Sequence, residues 1–182
     1  VHIDPGAFDG QPTQPYNASP EALLINFKSV FLQFMPDPDQ RVARVHVEPP
    51  LARFSVPSTV PLQSGACGFW RDALKADFSD PNRWVFKGAY PQSCGNTAWA
   101  VAYTQPATYA QRAVQGMWQT LGGTISGQVR SGKLNPSARL LLNHDSPALS
   151  EVVRDINKYS NNVMAQQLFL TLSWQPQGVG RF

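Results

Sequence analysis

A serine hydroxyl can close the end of a helix, or it can move a proton during catalysis. The stretch NKYSNNVMAQQLFLTL, residues 157–172, sets Ser160-Asn161-Asn162 between two segments with helical spacing. As a cap, Ser160 would accept the free backbone N–H groups that open the second helix. As chemistry, the same hydroxyl could give or take a proton, while the Asn162 amide could hydrogen-bond a bound ligand. Lys158 stands two residues before the serine: it is either a solvated helix-end lysine or a positive contact for a terminal carboxylate. Both readings of Ser160 require a rigid turn between two helices.

Other chemistry-bearing residues are more ordinary. His2, His46 and His144 lie on three separate segments, and none is linked to an acid or nucleophile by a recognised spacing. His144-Asp145 is the least ordinary of these, since it precedes a helix, but Asp145 also suits a turn. Asp37-Asp39 and Asp77-Asp80 fall in turns, where Asp bonds its own backbone, so no metal or paired-carboxylate role is assigned. Trp70, Trp84, Phe86, Trp99 and Trp118 read as core. Cys67 and Cys94 are two buried thiols or a disulfide; no further Cys or His completes a zinc site. A disulfide would imply an oxidising compartment, and closing that loop would stabilise the fold by roughly 3.6 kcal/mol.

The elements that must hold these residues follow from periodicity. Residues 1–22 carry four prolines and read as irregular. LLINFKSVFLQFM allows a helix or a strand, and its aromatic and β-branched content favours a strand over residues 26–35. RVARVHVEPP sets Val42, Arg44 and His46 against Ala43, Val45 and Val47, a half-buried strand expected to pair with it. Residues 68–77 and RWVFKGAY form an expected hairpin about the SDPN turn, with the cysteines flanking it, which favours the disulfide. TAWAVAY adds a strand, so an antiparallel set of at least five is plausible.

Beyond Tyr103 the pattern changes. PATYAQRAVQGMWQTLGG puts Tyr109, Ala113, Val114, Met117 and Leu121 on one helical face and ends in Gly122-Gly123. TISGQVRSGK and ARLLLNHD read as short strands. SPALSEVVRDINKY follows as a helix, with Ser146 as cap, Pro147 in the first position and Leu149, Val152, Val153 and Ile156 as the buried face. The next helix, from Asn161 or Asn162, would turn Val163, Met164, Leu168 and Leu172 inward.

Composition narrows the function classes. With 182 residues, 42% hydrophobic and 15% charged, the chain is globular, and sixteen prolines favour a β-rich or mixed fold over a helix bundle. The net charge of +3 is spread over scattered residues, among them Arg41, Arg44, Arg53, Arg71, Lys75, Arg83, Lys87, Arg130 and Lys133. That distribution gives no stripe for nucleic acid. No apolar run reaches the ~18 residues of a membrane span. The opening VHIDPGAFDG has neither Met nor a charged-then-apolar leader, so the expectation is a mature chain or a piece of a longer one.

On HDSPALSEVVRDINKYSNNVMAQQLFLTL, AWAVAYTQPATYAQRAVQGMWQTLGGTISGQV and PYNASPEALLINFKSVFLQFMP, the chain resembles the class C low-molecular-mass penicillin-binding proteins. These are serine D-alanyl-D-alanine carboxypeptidases and endopeptidases of bacterial peptidoglycan, built around the motifs S-x-x-K, S-x-N and K-T-G. The resemblance implies an α+β fold. Residues 1–138 would be a mainly antiparallel β accessory insertion, and residues 139–182 a helical part of a transpeptidase-type domain. It further implies that Ser160 and Asn162 are the S-x-N pair, that Lys158 contributes to substrate binding, and that no cofactor is needed. Stem peptides and β-lactams would be partners of the full-length parent. The implied location is periplasmic, which agrees with a Cys67–Cys94 disulfide.

No serine here has Lys at the third following position; in Ser131-Gly132-Lys133 it comes one place early. K-T-G is missing as well, so these 182 residues are expected to form no acyl-enzyme alone. The rival reading is a non-catalytic periplasmic β-rich binding module. An apolar face exposed where a missing sheet would pack would make self-association unsurprising.

Overall fold

The computed structural model describes residues 4, 6, 7, 9–133 and 135–177, the side chains of 175–177 excepted. His2 lies outside the described residues. Its centre is a five-stranded sheet in the order β6-β3-β2-β1-β7. The strands are β1 Ser29–Asp37, β2 Val42–Glu48, β3 Thr59–Gln63, β6 Tyr90–Pro91 and β7 Thr97–Ala102. β1 pairs antiparallel with β2, as the alternating pattern predicts, and on its other edge with β7. Leu32 faces Val47 and Phe34 faces Val45, so the inward residues of both strands meet on one face.

The expected strand at 26–35 starts three residues late, because Asn26, Phe27 and Lys28 form a tight turn with positive φ at all three. A left-handed conformation costs a non-glycine residue about 1–2 kcal/mol. The turn is held from several sides. Tyr103 N donates to Lys28 O at 2.8 Å, and the Tyr109 hydroxyl donates to Ser29 O at 2.7 Å. Burial pushes that hydroxyl far above its ordinary pKa, so it stays a donor. Lys28 Nζ lies 2.8 Å from Glu21 Oε2 and donates to Ser19 Oγ at 3.1 Å, which compensates a buried ammonium.

The expected hairpin is only partly present. Its first strand is instead a short helix, α1 Trp70–Leu74, ended by Lys75 in the left-handed conformation. Only β4 Ala76–Asp77 and β5 Val85–Phe86 pair, as a separate two-stranded ladder. The disulfide nevertheless forms, with Cys67 and Cys94 Cα atoms 4.7 Å apart. Its geometric cause is different: β3 and β6 run parallel, Leu62 beside Tyr90 and Gln63 beside Pro91. Chain leaving two parallel strands departs at the same end, and there Ser93 Oγ also donates to Gly65 O at 2.7 Å.

The core is aromatic. Phe34 stacks on Tyr90 at 5.3 Å and meets Trp70 and Phe86 edge-on at 5.5 and 5.6 Å. Trp84 is fully buried against Phe54 and Phe78. Trp118 is the exception among the tryptophans expected inside; it is half exposed and donates Nε1 to Thr124 O.

α2, Tyr109–Thr120, packs on this core through Tyr109, Ala110, Ala113 and Gly116. Met117 and Leu121, expected on that face, are exposed at 44% and 82%. Gly116 decides the matter: a Cβ there would overlap the Pro50 carbonyl, so the helix meets the 50–52 loop backbone to backbone. Residues 121–148 contain neither of the two expected strands. Leu140, Leu141 and Leu142 stand at 79–83% exposure and belong to no strand among the described residues.

Candidate active site

Two helices frame Ser160: α3 Leu149–Tyr159 and α4 Asn162–Gln177. α3 starts at Leu149, after an Ala148 cap with no side-chain bond. Ser146 and Pro147, expected as cap and first turn, therefore precede the helix. α3 has a polar and an apolar side, yet none of its residues is buried. In α4, Val163 is buried at 1%, while Leu172, expected inside, is 58% exposed.

At the junction, the cap and the serine separate. Ser160 takes the left-handed conformation, φ 50° and ψ 46°, and its N–H donates to Ile156 O. Asn161 N donates to the same oxygen at 3.0 Å, the six-to-one bond of a Schellman turn. Asn161 then opens α4: its Oδ1 accepts from Met164 N at 3.0 Å, and its carbonyl accepts from Ala165 N. Capping thus belongs to Asn161 and not to Ser160, which corrects the sequence expectation. The signal was present in the sequence, since Asn caps as well as Ser, but two adjacent capping residues gave no basis for choosing.

Ser160 and Asn162 lie on either side of that cap and are both exposed. Neither side chain makes a hydrogen bond among the described residues, so both hydroxyl and amide are available to a ligand. Lys158 is exposed, with Nζ 5.3 Å from the Tyr159 ring centroid. The geometry can present a fixed hydroxyl and an amide from one tight corner. Among the described residues no histidine joins it as a base: His46 is exposed on β2, and His144 lies in the exposed segment before α3. Asp145 accepts from Asn143 at 2.8 Å. No cluster of His, Cys, Asp or Glu suited to a metal occurs among the described residues. Nor is any described helix long and apolar enough to cross a membrane.

Residues 3–180 match the D-Ala-D-Ala carboxypeptidase 3 (S13) family. The chain belongs to this family. Among solved structures, it is similar to penicillin binding protein 4 from Haemophilus influenzae, with TM-score 0.54 at 19% identity over 92% of the chain. A structure of that protein complexed with a novel β-lactam gives TM-score 0.57 at 20% identity. At such identities the likeness establishes the fold: a mixed α and β chain with a sheet and a few helices. These 182 residues span 37% and 38% of those two chains. Curated protein sequences give no match. For an S13 carboxypeptidase family member, a serine and an asparagine flanking a helix cap acquire a specific reading.

Proposed function

We propose that these residues serve a serine-type D-Ala-D-Ala carboxypeptidase/endopeptidase, which cleaves peptidoglycan stem peptides in the periplasm through an acyl-enzyme. In this reading residues 1–138 are the accessory insertion and residues 139–182 belong to the transpeptidase-type domain. The observation that carries it is the Ser160-Asn161-Asn162 corner in a chain matched to the S13 family over residues 3–180.

Ser160 relays a proton to the leaving amine, and Asn162 orients the stem peptide. Lys158 adds positive charge near the substrate's terminal carboxylate. The nucleophilic serine and its lysine base belong to an S-x-x-K that is absent from these 182 residues, so this chain alone forms no acyl-enzyme.

Fluorescent penicillin is the test, applied to this chain and to the full-length parent. The parent labels and the chain does not. Ser160→Ala in the parent lowers turnover by about 10²–10⁴-fold, the usual worth of a positioned proton donor. A parent without S-x-x-K and K-T-G overturns the assignment and leaves a binding module, whereas turnover that survives Ser160→Ala overturns it in favour of a hydrolase of unrelated type.

Self-association of the isolated chain belongs to the same proposal. Leu149 at 57%, Leu172 at 58% and Trp174 at 54% exposure leave apolar surface on α3 and α4 uncovered. Sedimentation velocity then shows dimers that Leu149→Glu with Leu172→Glu disperses.

A further inference from the structure

The arginines that look scattered along the sequence are not all scattered in space. Arg53, Arg112 and Arg130 line one groove beside α2, together with Gln111, Gln115 and Gln128. None of the three arginines forms an ion pair among the described residues. Arg112 is fixed by neutral groups: Arg53 O at 3.1 Å, Pro81 O at 3.4 Å, Asn82 Oδ1 at 2.8 Å and the Tyr103 ring, 5.8 Å from its Cζ. No carboxylate neutralises its charge among the described residues.

The wall of the groove is rigid. Ala52 N donates to Arg112 O at 2.9 Å, and Gly116 admits no side chain against Pro50. Arg53 itself holds a left-handed backbone, φ 58°, a strained conformation that persists only where its surroundings impose it. One acceptor completes the set. Gln111 donates Nε2 to Ser131 Oγ at 3.2 Å, while its Oε1 is buried with no hydrogen-bond partner.

We infer that this groove binds a peptide bearing a free carboxylate. The guanidinium groups match the carboxylate, with charge-assisted bonds, and the Gln111 oxygen matches a peptide N–H. A phosphodiester offers no donor for that oxygen, whereas a peptide carries an N–H and a carboxylate on one chain, which is why a peptide is favoured. That the peptide is a stem peptide of the cell wall rests on the function proposed above. In that case the groove holds uncleaved wall on the accessory region, away from the Ser160 corner.

The test is a titration of the 15N-labelled 182-residue chain with diacetyl-L-lysyl-D-alanyl-D-alanine and with its C-terminal amide. The free acid shifts the side-chain amides of Gln111, Gln115 and Gln128 saturably, and the C-terminal amide binds about tenfold more weakly, the loss of one charge-assisted contact. Arg53→Gln with Arg130→Gln weakens the acid by at least about tenfold. Lys75→Gln with Lys87→Gln, in a different groove, leaves its affinity unchanged.

The inference is overturned by the absence of saturable shifts, by equal binding of acid and amide, or by shifts confined to the Ser160 corner. Inorganic phosphate reproducing the same shifts also overturns it, because the groove is then a general anion site. Penicillin labelling of the parent does not depend on the groove, so either result can fail while the other stands.

Discussion

In the sheet body, Val30, Leu32 and Phe34 alternate inward along β1 and are fully buried; in α3, Leu149 and Val153 recur at helical spacing and stay 57% and 37% exposed. The first region has matched its apolar pattern to a neighbour within these residues, through the β1–β2 register and the rings around Phe34. The second carries the same kind of pattern, yet none of its residues is buried. Burial of apolar surface is what turns a pattern into stability. The body should therefore be sensitive to side-chain deletion and the helical pair tolerant, even though the candidate catalytic residues lie in the tolerant part.

That contrast can be broken first at Phe34. Phe34→Ala should cost about 3–5 kcal/mol, because it empties a site ringed by Tyr90, Trp70 and Phe86. Leu149→Ala should change stability by no more than about 0.5 kcal/mol. Urea unfolding of both variants measures the gap, and equal effects would mean that α3 has a buried face. Next comes the bond between Cys67 and Cys94. The Cys67→Ala with Cys94→Ala variant should lose roughly 3.6 kcal/mol by loop entropy, read by the same unfolding curves.

At the helical corner the expected effects are smaller and of opposite sign. Asn161→Ala removes the bond to Met164 N and should cost about 1 kcal/mol of thermal stability. Ser160→Gly relieves a left-handed side chain and should gain up to about 1 kcal/mol. The same substitution in the parent should lower turnover as Ser160→Ala does. A corner that becomes more stable when its serine is removed is held for something other than stability.

The smallest effect is at Asp37. The Arg44 guanidinium, bonding its side chain at 2.7 Å, leads the causes that hold this carboxyl below its ordinary pKa. A lowered folded-state pKa stabilises above the unfolded value of about 3.9 and loses that contribution as pH falls through the folded value. Asp37→Asn should therefore be slightly less stable than the parent chain at neutral pH. The difference should close below pH about 4, followed by urea midpoints across an acid series.

Legibility of the sequence followed the same divide. β2 and the β1–β2 pairing were readable because one face is buried and period two leaves no alternative register. α1 was misread as strand, since five residues of Trp70–Leu74 are too few for helical periodicity to declare itself. β3 was not anticipated at all; it holds Pro61, and its edges are set by partners distant in sequence. On α2, Met117 matched the spacing but Gly116 won, because close backbone approach leaves no trace in hydropathy. The Ser160 corner was located correctly, whereas its capping atom was not. The arginine groove was invisible, since Arg53, Arg112 and Arg130 are brought together only by tertiary contacts.

Glu21 N donates to Gln167 Oε1 at 3.0 Å, across 146 positions of sequence. The path into the sheet body and the path through α4 thus run side by side, like the two leads of a component soldered to a board. A body with adjacent leads can be carried by a host domain, lengthened or exchanged without forcing the host's own elements apart. In this architecture the sheet body and the Ser160 corner can be tuned in separate steps.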